Sequence, residues 1–534
     1  MTESSTSTHT ADLPPAATQW LREASQALGR NQIDFAIQSL TRVLALAPEC
    51  ADAHRLMGIA FLISGDRQKS ISHLQRALAV RPDDSTLNMN LGSALFELGD
   101  VDAGLAHLQR ACELAPRSAS TWYNYGKALQ FSARIEQAHD ILKHAVAIDP
   151  GYAKARNTLA SVLSSLGDTP AAVAMYRDTL KQQQSDSSET WFGLANLKTE
   201  RFSREDIAEL QRQLGSDLPD GSRILLGFTL AKAMEDQADY ALAFDVLREA
   251  NALKRRYVHW DREEERTRVD AIANTFSGAM PAPLDATLGR EVIFVACLPR
   301  SGSTLTEQIL GAHPQIEAAD EIETLPEILQ EESRRRGQPF PAWVPSATAE
   351  DWQRLGKDYL ARTRRWHRQG LRFTDKNPSN WAYVGAALAM LPGARVVNSR
   401  RDPLETCFAC YRQLFGNSSV DYSYDLDDLV DYYAGYVRLS GLWKQRFPQQ
   451  CFDFEYELLQ ADAEAQIRRL LDFCEVPFDP VCLDFHQSSR TVLTISAAQV
   501  RQPLRLDTAR SARYGSKLDP LRARLRAAGV LPAG

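Results

Sequence analysis

Residues 291–310 read EVIFVACLPRSGSTLTEQIL. Val292 to Leu298 form a continuous apolar run between Glu291 and Pro299, the pattern of a strand buried on both faces of a parallel sheet. Leu305, Ile309 and Leu310 then fall at helical spacing, so the stretch predicts strand, tight turn, helix. The turn is Pro299-Arg300-Ser301-Gly302-Ser303-Thr304. A turn that ends in a helix N-terminus offers unpaired N–H groups and the positive end of a dipole, which suit a phosphate or sulfate. Gly302 lets the backbone approach the anion, Ser303 and Thr304 bring hydroxyls, and Arg300 brings charge. The nucleotide-hydrolysing spacing G-x-x-x-x-G-K-[ST] is absent, and with it the lysine.

Downstream, strands alternate with helices. Short strands are expected at Ala394 to Ser399 and Cys451 to Tyr456, another is expected to end in Arg372 to Pro378, and a polar helix is expected at about 348–368. That alternation predicts a parallel sheet with helical crossovers. Ligands on such sheets sit beyond the carboxyl ends of the strands, where the charged segments DKNP (375–378) and RRDP (400–403) fall.

Upstream, Pro48, Pro82, Pro116 and Pro150 are 34 residues apart, each closing an Ala/Leu-rich helix. Gly65, Gly99 and Gly167 keep the register, with Ala133 filling the missing beat, and Gly58, Gly92 and Gly126 mark a second small position where two helices must approach closely. Over 17–183 this resembles the tetratricopeptide repeat (TPR), whose units stack into a solenoid because each alone leaves an apolar face exposed. The resemblance implies a peptide or protein on the concave face. Asn90 and Asn124 share one repeat position and are candidates to bond a peptide backbone; coincidence explains them equally well. Residues 184–256 read as degenerate TPR-like helices capping the solenoid, and 257–290 as a connector punctuated by Pro281 and Pro283.

The chain has 534 residues, a net charge of -7 and 24% charged residues, room for several domains and no sign of a nucleic-acid binder. Residues 1–16, rich in Ser, Thr, Ala and Pro, read as a disordered tail without signal-peptide features. No apolar run reaches the ~20 residues of a membrane helix. Eight cysteines are thinly spread. Cys407 and Cys410 form a CxxC with no second pair at zinc-ligand spacing, so packed thiols are expected. The expectation is a cytoplasmic protein.

The motifs PRSGST (299–304), HPQIEAADE (313–321), DKNP, RRDP and SAAQVRQP (496–503) occur in an order that resembles the sulfotransferases, within them the tyrosylprotein sulfotransferases. The expected architecture is thus multidomain: an all-α TPR solenoid, then an α/β P-loop-like sulfotransferase domain with a parallel sheet over 291–534. The resemblance implies 3′-phosphoadenosine 5′-phosphosulfate (PAPS) as co-substrate and no metal. It implies Glu321 as catalytic base, with Asp320 and Glu323 as rivals, and Arg300 and Lys376 as cations around the sulfuryl group and bridging oxygen. Ser496 is implied as a transition-state donor, and Arg401, Tyr456, Gln499, Val500 and Arg501 join the loop Arg300 to Thr304 around the nucleotide. Sulfuryl transfer needs such groups because charge builds on the leaving phosphate and the acceptor must lose a proton. The implied acceptor is a protein or peptide tyrosine hydroxyl.

Two departures stand out. The serine that the family places eight residues after the arginine matched by Arg401 is Ala409, a loss worth ~1 kcal/mol unless replaced; Arg400, Tyr411 and Arg412 are candidate replacements. The basic residue expected beyond Pro503 is Arg510 or Arg513. These departures keep open a second reading, a non-catalytic adaptor that only binds a nucleotide or partner.

Overall fold

The computed structural model describes residues 13–183, 186–198, 200–366, 371–416, 418–488, 500–504 and 509–532. The chain divides into two units, Met1–Gln184 and Ser185–Gly534.

The first unit is built of helix pairs: α1 (Pro15–Gly29) with α2 (Ile33–Leu46), α3 (Ala51–Ile63) with α4 (Arg67–Val80), α5 (Ser85–Leu98) with α6 (Val101–Leu114), α7 (Ala119–Phe131) with α8 (Ile135–Ile148), and α9 (Ala153–Ser165) with α10 (Thr169–Gln182). The small positions act as the period requires. A Cβ on Gly58 or Gly126 would lie 2.6 Å from Leu74 or Leu142 Cγ, and one on Gly92 would lie 2.8 Å from Leu108 Cγ. Gly65, Gly99 and Gly167 turn the chain at φ of 87°, 100° and 93°, and Ala133 adopts φ 61° at the same register. The two repeat asparagines are spent differently: Asn124 Nδ2 donates to Ser120 O at 2.9 Å, whereas Asn90 Nδ2 is buried with no hydrogen-bond partner among the described residues.

The second unit opens with α11 (Ser188–Asn196), α12 (Arg204–Leu214), α13 (Asp220–Asp236), α14 (Tyr240–Arg255) and α15 (Arg262–Ser277). Helices α13 and α14 pair as a TPR-like hairpin would, with α13 also packed on α11 and α12, yet α14 turns its outer face to residues beyond 400. Phe244 packs on Phe408, Tyr411 and Tyr514, and Asn251 Nδ2 donates to Tyr411 O at 3.0 Å. The stretch read as connector contains α15, capped by Asp261, with Val269, Ile272, Ala273 and Phe276 buried on one face. Its charged opening REEER masked that i, i+3, i+4, i+7 stripe.

The sheet follows: β1 (Val292–Cys297), α16 (Ser303–Ala312), β2 (Ile316–Ala318), α17 (Thr324–Arg336), α18 (Ala349–Arg362), β3 (Arg372–Asn377), α19 (Val384–Met390), β4 (Arg395–Arg400), α20 (Pro403–Tyr411), α21 (Leu426–Arg446), β5 (Cys451–Glu455), α22 (Tyr456–Ala461) and α23 (Ala463–Phe473). Helices α24 (Ser511–Tyr514) and α25 (Asp519–Ala527) close the unit. Strand order is β2-β3-β1-β4-β5, every pairing parallel. All six residues of the central β1 are buried, as its unbroken apolar run predicts. Strand β2, three residues long, is absent from the sequence reading because so short a piece carries no period. Tyr456 opens α22 and does not extend β5. No helix among the described residues is long and apolar enough to cross a membrane.

Candidate active site

The parallel order brings the loop after β1, DKNP at the end of β3 and RRDP at the end of β4 to one edge of the sheet. Here lies a cleft of about 280 Å³. Arg300, Gly302, Ser303 and Thr304 line it, as do Arg401, Tyr456 and Val500. The loop holds its shape with two left-handed residues, Arg300 at φ 67° and Gly302 at φ 98°. A Cβ on Gly302 would sit 3.3 Å from the Tyr456 ring, so glycine serves both angle and space. Ser301 is turned inward, its Oγ donating to Leu298 O at 2.8 Å, and does not line the cleft. Ser303 and Thr304 open α16, at the positive end of its dipole. The Arg401 guanidinium lies over the Tyr456 ring at 5.1 Å and approaches Glu405 at 3.4 Å. Burial, reinforced by the guanidiniums of Arg401, Arg412 and Arg510, lowers the pKa of Arg300 to about 10.

A second cluster sits at the end of β3. Lys376, fully buried, places Nζ 2.9 Å from Glu321 Oε1, 3.0 Å from Asp320 Oδ1 and 3.8 Å from Glu307 Oε2. Burial opposes its charge, but the three carboxylates outweigh burial and raise its pKa. Glu307, in α16 and fully buried, also accepts from Thr374 Oγ1 at 2.8 Å and from the Asp320 amide at 2.9 Å. It therefore ties the helix that follows the anion loop to the strand that carries Lys376. Asn377 Nδ2 donates to Ile322 O and Glu323 Oε1, both at 3.1 Å, and so pins the segment that carries Glu321. Of the rival carboxylates, Asp320 shares Lys376 with Glu321, while Glu323 is occupied by Asn377. Asp375 points into the core, accepting from Tyr359 Oη at 2.6 Å and Asn380 Nδ2 at 2.9 Å; burial pushes its carboxyl up to about 7.

Residues 292–480 match a sulfotransferase family model, and residues 21–71, 56–119 and 132–195 match tetratricopeptide repeat models. The chain joins tetratricopeptide repeats to a sulfotransferase-family domain. It is 30% identical over 401 residues to an uncharacterized protein of Aquifex aeolicus, covering 72% of this chain and 52% of that one. It is 23% identical over 238 residues to protein-tyrosine sulfotransferase A of Caenorhabditis elegans, covering 40% of this chain and 59% of that one. The chain thus spans about half to three-fifths of the length of these two relatives. Among solved structures, MamA of Desulfovibrio magneticus RS-1 is similar at 20% identity with a TM-score of 0.30, over 32% of this chain and 99% of that one.

Ser496 and Gln499 lie outside the described residues of the sulfotransferase-family domain. Val500 packs on Leu305 and lines the cleft, followed by Gln502, while Arg501 does not line it. Among the candidates to replace a hydroxyl at Ala409, Arg412 lines the cleft. Arg400 instead faces Asp453 at 3.5 Å, and Tyr411 is buried against Phe244. Arg510 lines the cleft and Arg513 does not. Cys407 and Cys410 are buried in α20, and burial pushes the Cys410 thiol up to about 12.

The sequence reading missed Glu307 and a whole wall of the cleft. Phe192, Asn196 and Lys198 from α11 and its end, with Phe228, Lys232 and Glu235 from α13, face the same space as the anion loop. Their signal was hidden inside helices whose period resembled one more repeat.

Proposed function

We propose that this chain transfers the sulfuryl group of PAPS to an acceptor hydroxyl, a tyrosine of a protein or peptide, and that the repeats bind the acceptor or a partner. The observation that carries the reading is the joint placement, at the carboxyl ends of β1 and β3, of an anion loop in a cationic cleft and a buried lysine paired with Glu321. The residues present fit a nucleotide with two anionic ends. Six cationic side chains and three carboxylates line the cleft, and Phe192, Phe228, Leu305, Phe408 and Phe485 offer apolar surface for a base.

PAPS supplies an activated sulfuryl group, and the protein supplies position and charge. The N–H groups of Ser303 and Thr304, with Arg300, hold the 5′ end. Glu321 takes the acceptor proton, and Lys376 turns from its carboxylates to the oxygen on which charge develops. Asn377 and Glu307 keep both groups in place. The tyrosine acceptor is supported by the sulfotransferase relative of C. elegans.

Transfer of labelled sulfate from PAPS to tyrosine peptides and small phenols tests the reading, with calorimetry of 3′-phosphoadenosine 5′-phosphate binding beside it. Transfer to peptides is the expected result. Binding without transfer to any acceptor would favour the adaptor, and neither binding nor transfer overturns the nucleotide reading.

A further inference from the structure

Lys198 lies just beyond α11 and sends Nζ to Gln413 Oε1 at 3.1 Å. Among the described residues no carboxylate lies within ion-pairing distance of it, and its charged neighbours are the guanidiniums of Arg300, Arg412 and Arg510. The other cations of this wall are answered. Glu235 binds both Arg412 and Arg510, the latter at 2.7 Å, and Lys232 meets Asp236 at 2.5 Å. Burial, then those three guanidiniums, push the Lys198 ammonium well below the usual lysine range. A buried ammonium that faces guanidiniums and has no carboxylate of its own is unfavourable in the empty protein, and an incoming phosphate reverses that sign.

The position of this ammonium is informative. Arg412 and Gln413 directly follow α20, the helix whose Ala409 faces the cleft without a hydroxyl. The 5′ end of the cleft already has the loop Arg300 to Thr304, with its N–H donors. What lacks a donor is the region between Arg401 and the end of α20, and Lys198 reaches it from a different part of the chain.

We propose that Lys198, with Arg412 and Arg510, forms the seat for the 3′-phosphate of the nucleotide and replaces the donor missing at Ala409. This rests on the reading of the cleft as a PAPS site. It makes helices α11 and α13 part of the nucleotide site of the second unit, so that their resemblance to one more protein-binding repeat conceals a different use. Lys232 and Glu235 are positioning residues in this arrangement: Glu235 aims the two arginines, and Lys232 fixes α13 to the Glu200 carbonyl.

The test is calorimetry on the full chain with two probes, 3′-phosphoadenosine 5′-phosphate and adenosine 5′-phosphate, for the unchanged protein, Lys198→Met and Lys198→Arg. The unchanged protein is expected to prefer the 3′-phosphorylated probe. Lys198→Met should weaken that probe by about 10- to 100-fold, the scale of a hydrogen bond to a charged group, and leave adenosine 5′-phosphate unchanged. Lys198→Arg should keep most of the preference. The empty Lys198→Met protein should melt no lower than the unchanged one, because the substitution relieves repulsion; a merely structural lysine would lower it. Equal weakening of both probes, or no weakening of either, overturns the proposal and leaves the nucleotide reading standing. An unchanged protein that binds neither probe overturns both.

Discussion

In the first unit one chemical task is repeated along the chain by unlike side chains. His54, Asn88, Trp122 and Arg156 occupy the same position of successive repeats, and each donates to the carbonyl of the proline six residues before it, at 2.8, 3.1, 3.0 and 3.2 Å. Those carbonyls lie in the turns between helix pairs, where no helical N–H reaches them, so any donor of the right length satisfies the turn. In the second unit each side chain at the edge of the sheet stands once. Lys376 has no homologue of position to share its work, and its setting is assembled from α16, β3 and the segment 320–321. A repeat tolerates exchange of the residue because the backbone defines the need, whereas a site fixes the residue because the reaction does.

The largest expected effect follows from that singularity. Glu321→Gln should lower sulfate transfer by about 10²- to 10⁴-fold, the contribution of a general base, while calorimetry finds 3′-phosphoadenosine 5′-phosphate binding unchanged. Retained transfer would hand the role to Asp320, the other carboxylate on Lys376. Next is Glu307→Gln, which strips charge from the buried group linking Thr374, Asp320 and Lys376. Breaking a buried pair on one side costs about 3 kcal/mol or more, to be read as a lower denaturant midpoint for the second unit. Unfolding like that of the unchanged protein would mean that Glu307 is not the anchor.

The same contrast explains what was legible in the sequence. The 34-residue period survives because Pro, Gly and the small crossing residues recur, and even Ala133 was readable from its place in the lattice. Strands β1, β3, β4 and β5 announced themselves as short runs ending in charged motifs, and the motifs delivered Arg300, Glu321, Lys376 and Arg401 to one edge. Glu307 and Lys198 were not readable in this way. A glutamate in STLTEQIL and a lysine in LANLKTE look like ordinary helix polarity, and their meaning comes from Thr374 and Gln413, far along the chain. The TPR-like spacing of α13 and α14 misdirected as well, since a helical hairpin has one pattern whichever neighbour covers its outer face.

A smaller effect tests whether the repeated donor position is as exchangeable as it looks. His54 gives Nε2–H to Pro48 O, so its Nδ1 accepts from His73 Nδ1 at 2.9 Å. Burial, then His54 and Arg76, hold His73 down at about 4. Its folded pKa lies below the unfolded value of about 6.5, so the unfolded chain binds the proton more readily. The contribution is therefore present above about pH 6.5 and lost as pH falls towards 4. Urea unfolding of the first unit between those values should show a pH slope that His73→Gln flattens. An unaltered slope would assign the acid sensitivity elsewhere.

The smallest effect compares one backbone conformation in two settings. Ala133 at φ 61° and Arg300 at φ 67° both hold the left-handed region, which costs a non-glycine residue about 1 kcal/mol. In the repeat the strain serves only the turn that Gly65, Gly99 and Gly167 make without it. Ala133→Gly should therefore stabilise the first unit by at most about 0.5 kcal/mol, after the greater freedom of glycine in the unfolded chain is subtracted. Arg300→Gly relieves the same strain in the second unit but removes a cation from the cleft, so thermal stability should rise while nucleotide affinity falls. If Ala133→Gly destabilises, the methyl group makes a contact that outweighs its angle. If Arg300→Gly destabilises the empty protein, the arginine is held by packing and not by the demand of an anion.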